Sequence, residues 1–227
     1  MICFDQAKKI LSEAQEDYLK QIYLLTESVP TAGTQALADK LGVAPASVTV
    51  MIQKLGERGL VAYEQYKGVS LTETGVAVAL EILRHHRLLE SFLHQALGYG
   101  WDEVHAEAEK LEHYISETFE EKMAAWLGHP SHDPHGDPIP DNKLRLPDDH
   151  GQSRLTEERP GFNGRVVRVG TQDSDELNLF RQLGLVPGVV LSLLATDTGT
   201  VRVQLGKESY LLPLTLAHKL WVERAAS

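Results

Sequence analysis

The chain has 227 residues, of which 42% are apolar, enough for two or three small hydrophobic cores. No run of about 18 apolar residues occurs, and the start, MICFDQAKKIL, lacks the basic, apolar and small-residue succession of a secretory leader, so a cytoplasmic protein is expected. The single cysteine, Cys3, excludes an internal disulfide and reads as a free terminal thiol, while the net charge of −10 argues against non-specific affinity for nucleic acid.

In residues 5–27 apolar side chains recur three and four apart (Ile10, Ala14, Tyr18, Ile22, Leu25), which predicts a helix. Thr34 then caps a short helix from Gln35 to Leu41, and Gly42-Val43 makes a turn. Pro45 opens a second helix at a position where its missing N–H costs little, and Gly59 ends it. Two short strands, Leu60–Tyr63 and Val69–Leu71, flank a hairpin at 64–68. Helix, turn, helix and two-stranded ribbon make a winged helix-turn-helix. Its second helix keeps Val48, Ile52 and Leu55 inward and presents Ser47, Thr49, Gln53 and Lys54 outward, side chains that can meet base edges or phosphate in a major groove. Lys67 in the hairpin joins these candidate DNA contacts. A small helical domain without a nucleic-acid role has the same pattern.

Two longer helices are expected at 76–96 and 101–127, separated by Gly98-Tyr99-Gly100. Residues 76–128 carry four basic and ten acidic groups, so the acid excess is concentrated here. On the helix expected over 101–127, His105, Glu109, Glu112 and His113 fall on one stripe about 100° wide. His86 and Glu90, four apart, share a face of the preceding helix. Imidazole and carboxylate at helical spacing form a divalent-metal site that needs no cysteine. A solvated acidic face is the bland alternative. Leu89, Phe92 and Leu93, with Val104, Ala108, Leu111, Ile115 and Phe119, make apolar stripes beside these groups, for a core or a subunit contact.

Proline, aspartate and histidine dominate 129–160, which reads as an irregular connector. His129, His132 and His135 stand three apart in it; a turn-rich linker is favoured over a metal role. Five short strands follow (Arg165–Val169, Val189–Leu194, Val201–Leu205, Ser209–Leu212, Lys219–Val222), with a helical turn at Leu177–Leu183, predicting a small β-barrel.

In this order, the motifs resemble the diphtheria toxin repressor family of metal-dependent transcription regulators. The resemblance spans essentially the whole chain. It rests on Glu16-Asp17-Tyr18-Leu19 before Ile22-Tyr23, on His86-Arg87-Leu88-Leu89-Glu90, on Val104-His105 leading to Glu109, Glu112 and His113, and on Pro134-His135-Gly136-Asp137-Pro138-Ile139-Pro140. It implies a mainly α protein with β: a winged helix-turn-helix DNA-binding domain at 1–75, a helical metal-binding and dimerisation domain at 76–140, a linker at 141–160 and an SH3-like FeoA barrel at 161–227. It further implies a primary metal site of Asp17, Glu109, Glu112 and His113. The iron-responsive branch has methionine and cysteine where Asp17 and Glu109 stand, and the manganese-responsive branch has aspartate and glutamate. His86, Glu90 and His105 match an ancillary site, to which the barrel would add Asp173 and Glu176. One departure is Lys20: the manganese regulators that lack the barrel carry glutamate there, and their closely spaced two-manganese site is not expected in the same form.

The function expected is a cytoplasmic, homodimeric regulator that binds double-stranded operator DNA when Mn²⁺ is bound and represses metal-uptake genes. Fe²⁺ is the alternative effector. A two-metal hydrolase would use the same carboxylates and histidines, but the chain shows no separate nucleophile or phosphate loop. A metal-buffering protein whose winged helix is only an interaction module is the third reading.

Overall fold

The computed structural model describes residues 11–27, 29–64 and 67–225. Cys3, Ile10 and hairpin residues 65–66 lie outside the described residues. The chain divides into two compact units. The first comprises Met1–His85, Glu112–Tyr114 and Asn142–Arg145, and the second His86–Leu111, Ile115–Asp141 and Leu146–Ser227.

The first unit holds α1 (Glu13–Thr26), α2 (Thr34–Leu41), α3 (Pro45–Glu57), β1 (Val61–Glu64) and β2 (Gly68–Leu71). It also holds the first half of α4 (Glu73–Leu97), which passes into the second unit after His85. At the start of α1 the free Ser12 N–H donates to Gln15 Oε1 at 3.1 Å, satisfying one of the donors a helix N-terminus exposes. Gly42 ends α2 at φ +65°, the left-handed backbone that the turn of a helix-turn-helix requires and glycine adopts without penalty. Pro45 opens α3. The strands pair antiparallel, Val61 opposite Leu71 and Glu64 opposite Gly68.

One core joins these elements: Leu19 and Ile22 of α1, Leu37 of α2, Val48, Ile52 and Leu55 of α3, Val69 of β2, and Val78 and Ile82 of α4. Leu19 is fully buried, and truncating such a leucine to alanine costs about 2–5 kcal/mol. The orientation of α3 is thereby tied to α1.

In the second unit, the rest of α4 packs with α5 (Val104–Leu111) and α6 (Glu117–Trp126) around Leu88, Leu89, Leu93, Val104, Ala108, Met123 and Ala124. The single helix expected over 101–127 is two. Ser116 caps α6, accepting from the Phe119 N–H, and Glu117 and Glu120 fall in its first turn, where acids suit the helix dipole. α5 has already ended at Leu111, and residues 112–115 connect the two helices.

The connector is also more ordered than its composition suggested. Residues 131–139 fold back on themselves, with Asp133 N–H donating to Asp137 O at 3.0 Å and Ile139 N–H to Ser131 O at 2.8 Å. Ile139 enters the helical core. His135 O accepts from Val169 N–H at 2.8 Å, joining the loop to the C-terminal sheet. Gly136 sits at φ +86°, and a Cβ there would lie 2.0 Å from Val167 O. Only glycine allows that approach.

The C-terminal sheet has six strands: β3 (Gln152–Arg154), β4 (Asn163–Val169), β5 (Val190–Asp197), β6 (Thr200–Leu205), β7 (Glu208–Pro213) and β8 (Leu220–Arg224), in the order β3-β8-β4-β5-β6-β7. β3 lies in the stretch read as linker. A closed barrel was expected, but the sheet is open, with β3 and β7 as its edges. Register shifts in β4 at Val166/Arg168 and in β5 at Leu193/Ala195 bend it. It wraps a core of Val166, Leu191, Leu193 and Val203, closed by Leu177 and Phe180 of α7 (Ser174–Gln182) and by Trp101.

Candidate metal centres and nucleic-acid interface

The first unit brings Asp17, Glu112 and His113 together, each with a ligand atom within 4.8 Å of the others. Asp17 lies on α1, and Glu112 and His113 lie in the turn after α5. His113 stands between two acids, its Nδ1 2.6 Å from Glu16 Oε2 and its Nε2 3.0 Å from Asp17 Oδ1. Burial opposes charge on this ring, but the hydrogen bonds to Asp17 and Glu16 outweigh it and push the pKa up to about 10. Without metal the imidazole is therefore a cation that donates both ways. Giving up the Nε2 proton frees that nitrogen beside Asp17 and Glu112, while Glu16 keeps Nδ1–H and holds the ring, the usual support for a metal-binding histidine. Glu112 Oε1 is 3.6 Å from His113 Nε2 and 2.5 Å from Lys20 Nζ.

The second unit gathers six donors. His86 Nε2 is 3.0 Å from Glu90 Oε1 and 2.9 Å from His105 Nδ1, and His105 Nδ1 is 3.1 Å from the same Glu90 oxygen. Glu109 Oε1 lies 3.7 Å from His105 Nε2 and 4.0 Å from His86 Nδ1. His86, His105 and Glu109 thus form one three-ligand group, and Glu90, Asp133 and His135 form another that is wholly buried. His135 Nε2 is 2.8 Å from Trp101 O; donating there turns Nδ1 to Glu90 Oε2 at 3.6 Å. Burial raises the Glu90 carboxyl, but three histidines overcome it and hold it well below the usual carboxylate range. Asp133 goes the other way: burial and the charge of Glu90 push it well up. Asp133 Oδ1 accepts from the N–H groups of His135 and Asp137 at 2.8 and 2.9 Å, while Oδ2 is buried without a hydrogen-bond partner. Two acids buried together beside a histidine, Asp133 and Glu90 with His135, make a group whose charge a divalent cation would offset.

On α3 the outward arc carries Ser47 and Lys54 on one flank and Thr49 and Gln53 on the other, all exposed. At 100° per residue Val50, 51% exposed, falls between them. Lys67 is exposed in the hairpin and pairs with Glu64 at 2.7 Å.

Three family descriptions match consecutive stretches. Residues 10–69 match the iron dependent repressor N-terminal DNA binding domain, 72–141 its metal binding and dimerisation domain, and 153–224 the FeoA domain. The iron-dependent repressor IdeR of Mycobacterium tuberculosis is 33% identical over 94% of this chain and 98% of its own length. The chain belongs to the diphtheria toxin repressor family. A family structure described as a manganese-dependent transcriptional repressor complex with manganese is 37% identical, with a TM-score of 0.88 over 93% of this chain and all of that one. The HTH-type transcriptional regulator MntR of Lysinibacillus sphaericus is 37% identical over 45% of this chain and 73% of its own. These relatives are regulators rather than enzymes.

Set against the ligands that family resemblance implies, the structure groups some differently. Asp17, Glu112 and His113 come together. Glu109 belongs to the other unit and meets His86 and His105, because α5 ends at Leu111 and the stripe through 105, 109, 112 and 113 is cut. Asp173 caps α7, accepting from Asp175 N–H and Glu176 N–H, and Glu176 is held by Thr171 and Lys219. Neither is grouped with His86, Glu90 or His105. Asp133 and His135 of the connector are grouped with Glu90 instead. Asp133 was not singled out in the sequence, and His135 was read as linker. The signal available was the burial that a turn such as Asp-Pro-His-Gly-Asp-Pro makes possible. His132 pairs instead with Asp149 at 3.0 Å, and His129 sits at φ +55° just after α6.

Proposed function

We propose that this protein is a manganese-responsive repressor that binds operator DNA as a homodimer, in the cytoplasm, and lowers expression of metal-uptake genes. The domain order proposed is the one read from the sequence, 1–75, 76–140, 141–160 and 161–227. Among the described residues no helix is long and apolar enough to cross a membrane, which fits this setting. The observation that carries the reading is the meeting of Asp17 with Glu112 and His113 in the unit that also holds the winged helix. A bound divalent ion would supply there a positive charge shared by two carboxylates and one imidazole. Oxygen and nitrogen donors without sulfur suit Mn²⁺ better than a softer set would.

Asp17 anchors α1, and Leu19 and Ile22 on the same helix pack against Val48, Ile52 and Leu55 of α3. Tying Asp17 to residues 112–113 therefore restricts where α3 points. In a dimer two such helices must enter successive major grooves about 34 Å apart, so one restrained orientation binds DNA better than many. Gln53 and Thr49 on one flank of α3 are suited to base edges, Lys54 and Lys67 to phosphate, and Val50 to a thymine methyl. Ser47 completes the polar arc. His86, Glu90, His105 and Glu109, joined by Asp133 and His135, are proposed as a second metal-binding cluster in the other unit; Asp173 and Glu176 are left to their capping and ion-pair roles. The name of the mycobacterial relative keeps Fe²⁺ as the competing effector.

The test is selection of DNA from a random duplex pool by the full chain with Mn²⁺, with Fe²⁺ under reducing conditions, and with chelator. A palindromic consensus recovered with Mn²⁺ but not with chelator supports the proposal. Recovery independent of metal, or none at all, overturns it, and recovery with Fe²⁺ alone makes iron the effector.

A further inference from the structure

We propose that Lys20 is a resident cation that competes with the incoming metal ion for Glu112 and so sets the metal concentration at which the site fills. This rests on the reading of Asp17, Glu112 and His113 as a metal centre and adds a residue that tunes it. Lys20 projects from α1, one turn beyond Asp17 (i, i+3), and is only 2% exposed. Its Nζ lies 2.5 Å from Glu112 Oε1, and the two side chains are 3% and 0% exposed. The same oxygen is 3.6 Å from His113 Nε2, the nitrogen that faces Asp17. An ammonium group has three donors and no lone pair, so it cannot join the ligand set. It can only neutralise Glu112 or repel another cation.

The consequence follows from charge. Asp17 and Glu112 contribute two negative charges, and Lys20 takes one back within the same buried group. When the site is empty, the lysine supplies a buried positive charge directly to Glu112, and a buried carboxylate that loses such a partner is destabilised. A divalent ion that draws on Glu112 must displace the ammonium or share the carboxylate with it at close range, where charges interact strongly. Both weaken binding. The site then fills only when free metal is plentiful, as a sensor of sufficiency requires. A purely structural ion pair would predict the reverse, since removing the lysine would loosen Glu112 and weaken metal binding.

The test uses the full chain with Lys20→Met, Lys20→Gln and the charge-retaining Lys20→Arg, titrated with Mn²⁺ by calorimetry at pH 7.5 and melted with and without Mn²⁺. Lys20→Met and Lys20→Gln should bind Mn²⁺ about tenfold more tightly or better, lower the metal-free melting temperature and enlarge the rise produced by Mn²⁺. Lys20→Arg should stay near wild type. Folded Met and Gln variants with equal or weaker Mn²⁺ affinity overturn the proposal. So do variants that stay unfolded in Mn²⁺, because an ion on Glu112 should replace the missing charge; folding restored by Mn²⁺ supports it. Lys20→Met/His113→Ala separates the two layers of the argument. If the double variant keeps the tightened binding, the assignment of the metal centre itself fails. If it loses Mn²⁺ binding at this site while Lys20→Met alone gave no tightening, only the role of Lys20 fails.

Discussion

Asp133→Asn is a sharp perturbation because its effects with and without metal should have different signs. The side chain is 7% exposed, Oδ1 takes two backbone N–H groups, and Oδ2 has no hydrogen-bond partner. Burial and the charge of Glu90 push its pKa well above the ordinary 3.8. A carboxyl whose folded-state pKa is raised loses stability as pH climbs from its unfolded value toward its folded one, because the unfolded chain ionises first. Asparagine cannot ionise, keeps an oxygen for the two N–H groups, and escapes that loss. Metal-free Asp133→Asn should therefore melt at or above wild type at pH 7, within about 1–2 kcal/mol, with the gap closing toward pH 4.

With metal the order reverses. An ion present at 100 times its dissociation constant stabilises the fold by about 2.7 kcal/mol, and a hundredfold loss of affinity cuts this to about 0.4 kcal/mol. At about 2–4 °C per kcal/mol for a chain of this size, the contribution of this centre falls from about 5–11 °C to about 1–2 °C. Differential scanning calorimetry across a Mn²⁺ series reads both effects. A variant with the full wild-type response to Mn²⁺ would refute the assignment of Asp133 as a ligand. A metal-free variant destabilised by several kcal/mol would refute the account of its buried carboxyl.

Other consequences are open to direct measurement. His113 titrates near 10 in the metal-free fold, so Mn²⁺ uptake at neutral pH should release about one proton there and tighten by up to about tenfold per pH unit below that value. Calorimetry in buffers of different ionisation enthalpy would count that proton, and a count unchanged by His113→Ala would exclude it. Gly136→Ala should lower the melting temperature by several degrees, since its Cβ would meet Val167 O at 2.0 Å from a positive φ. An unchanged melting point would mean that the connector is not pinned to β4. Gln53→Ala should cost about 1–3 kcal/mol on operator but little on random DNA. Lys54→Ala should weaken both and reduce the salt slope by about one. The opposite pattern in binding assays would exchange the roles given to the two residues.

The winged helix was legible because its signals are local. Gly42, Pro45 and Gly59 punctuate it, and the 48, 52, 55 spacing marks the buried face of α3. The strands at 163–169, 190–197 and 200–205 showed as alternation. The helix break after Leu111 was missed because periodicity carries apolar stripes across a cap, and Ser116 followed by Glu117 and Glu120 was the signal to weigh. β3 was missed because three residues leave no pattern. The candidate metal centres were half legible. Spacing on α4 and α5 pointed to His86, Glu90 and His105, but which carboxylate joins which histidine depends on where α5 stops. Asp133 and His135 belong to their cluster only through a loop closed by hydrogen bonds between distant backbone groups, and composition alone reads such a loop as linker.

Whether metal held by Asp17, Glu112 and His113 activates DNA binding is read by fluorescence anisotropy of an operator duplex, titrated with the full chain at fixed salt, with Mn²⁺ or with chelator, for wild type and His113→Ala. Wild type should bind tightly with Mn²⁺ only. His113→Ala, folded by circular dichroism, should stay near the level of wild type in chelator at every Mn²⁺ concentration. Wild-type affinity and Mn²⁺ response in His113→Ala would show that metal at this site does not activate DNA binding.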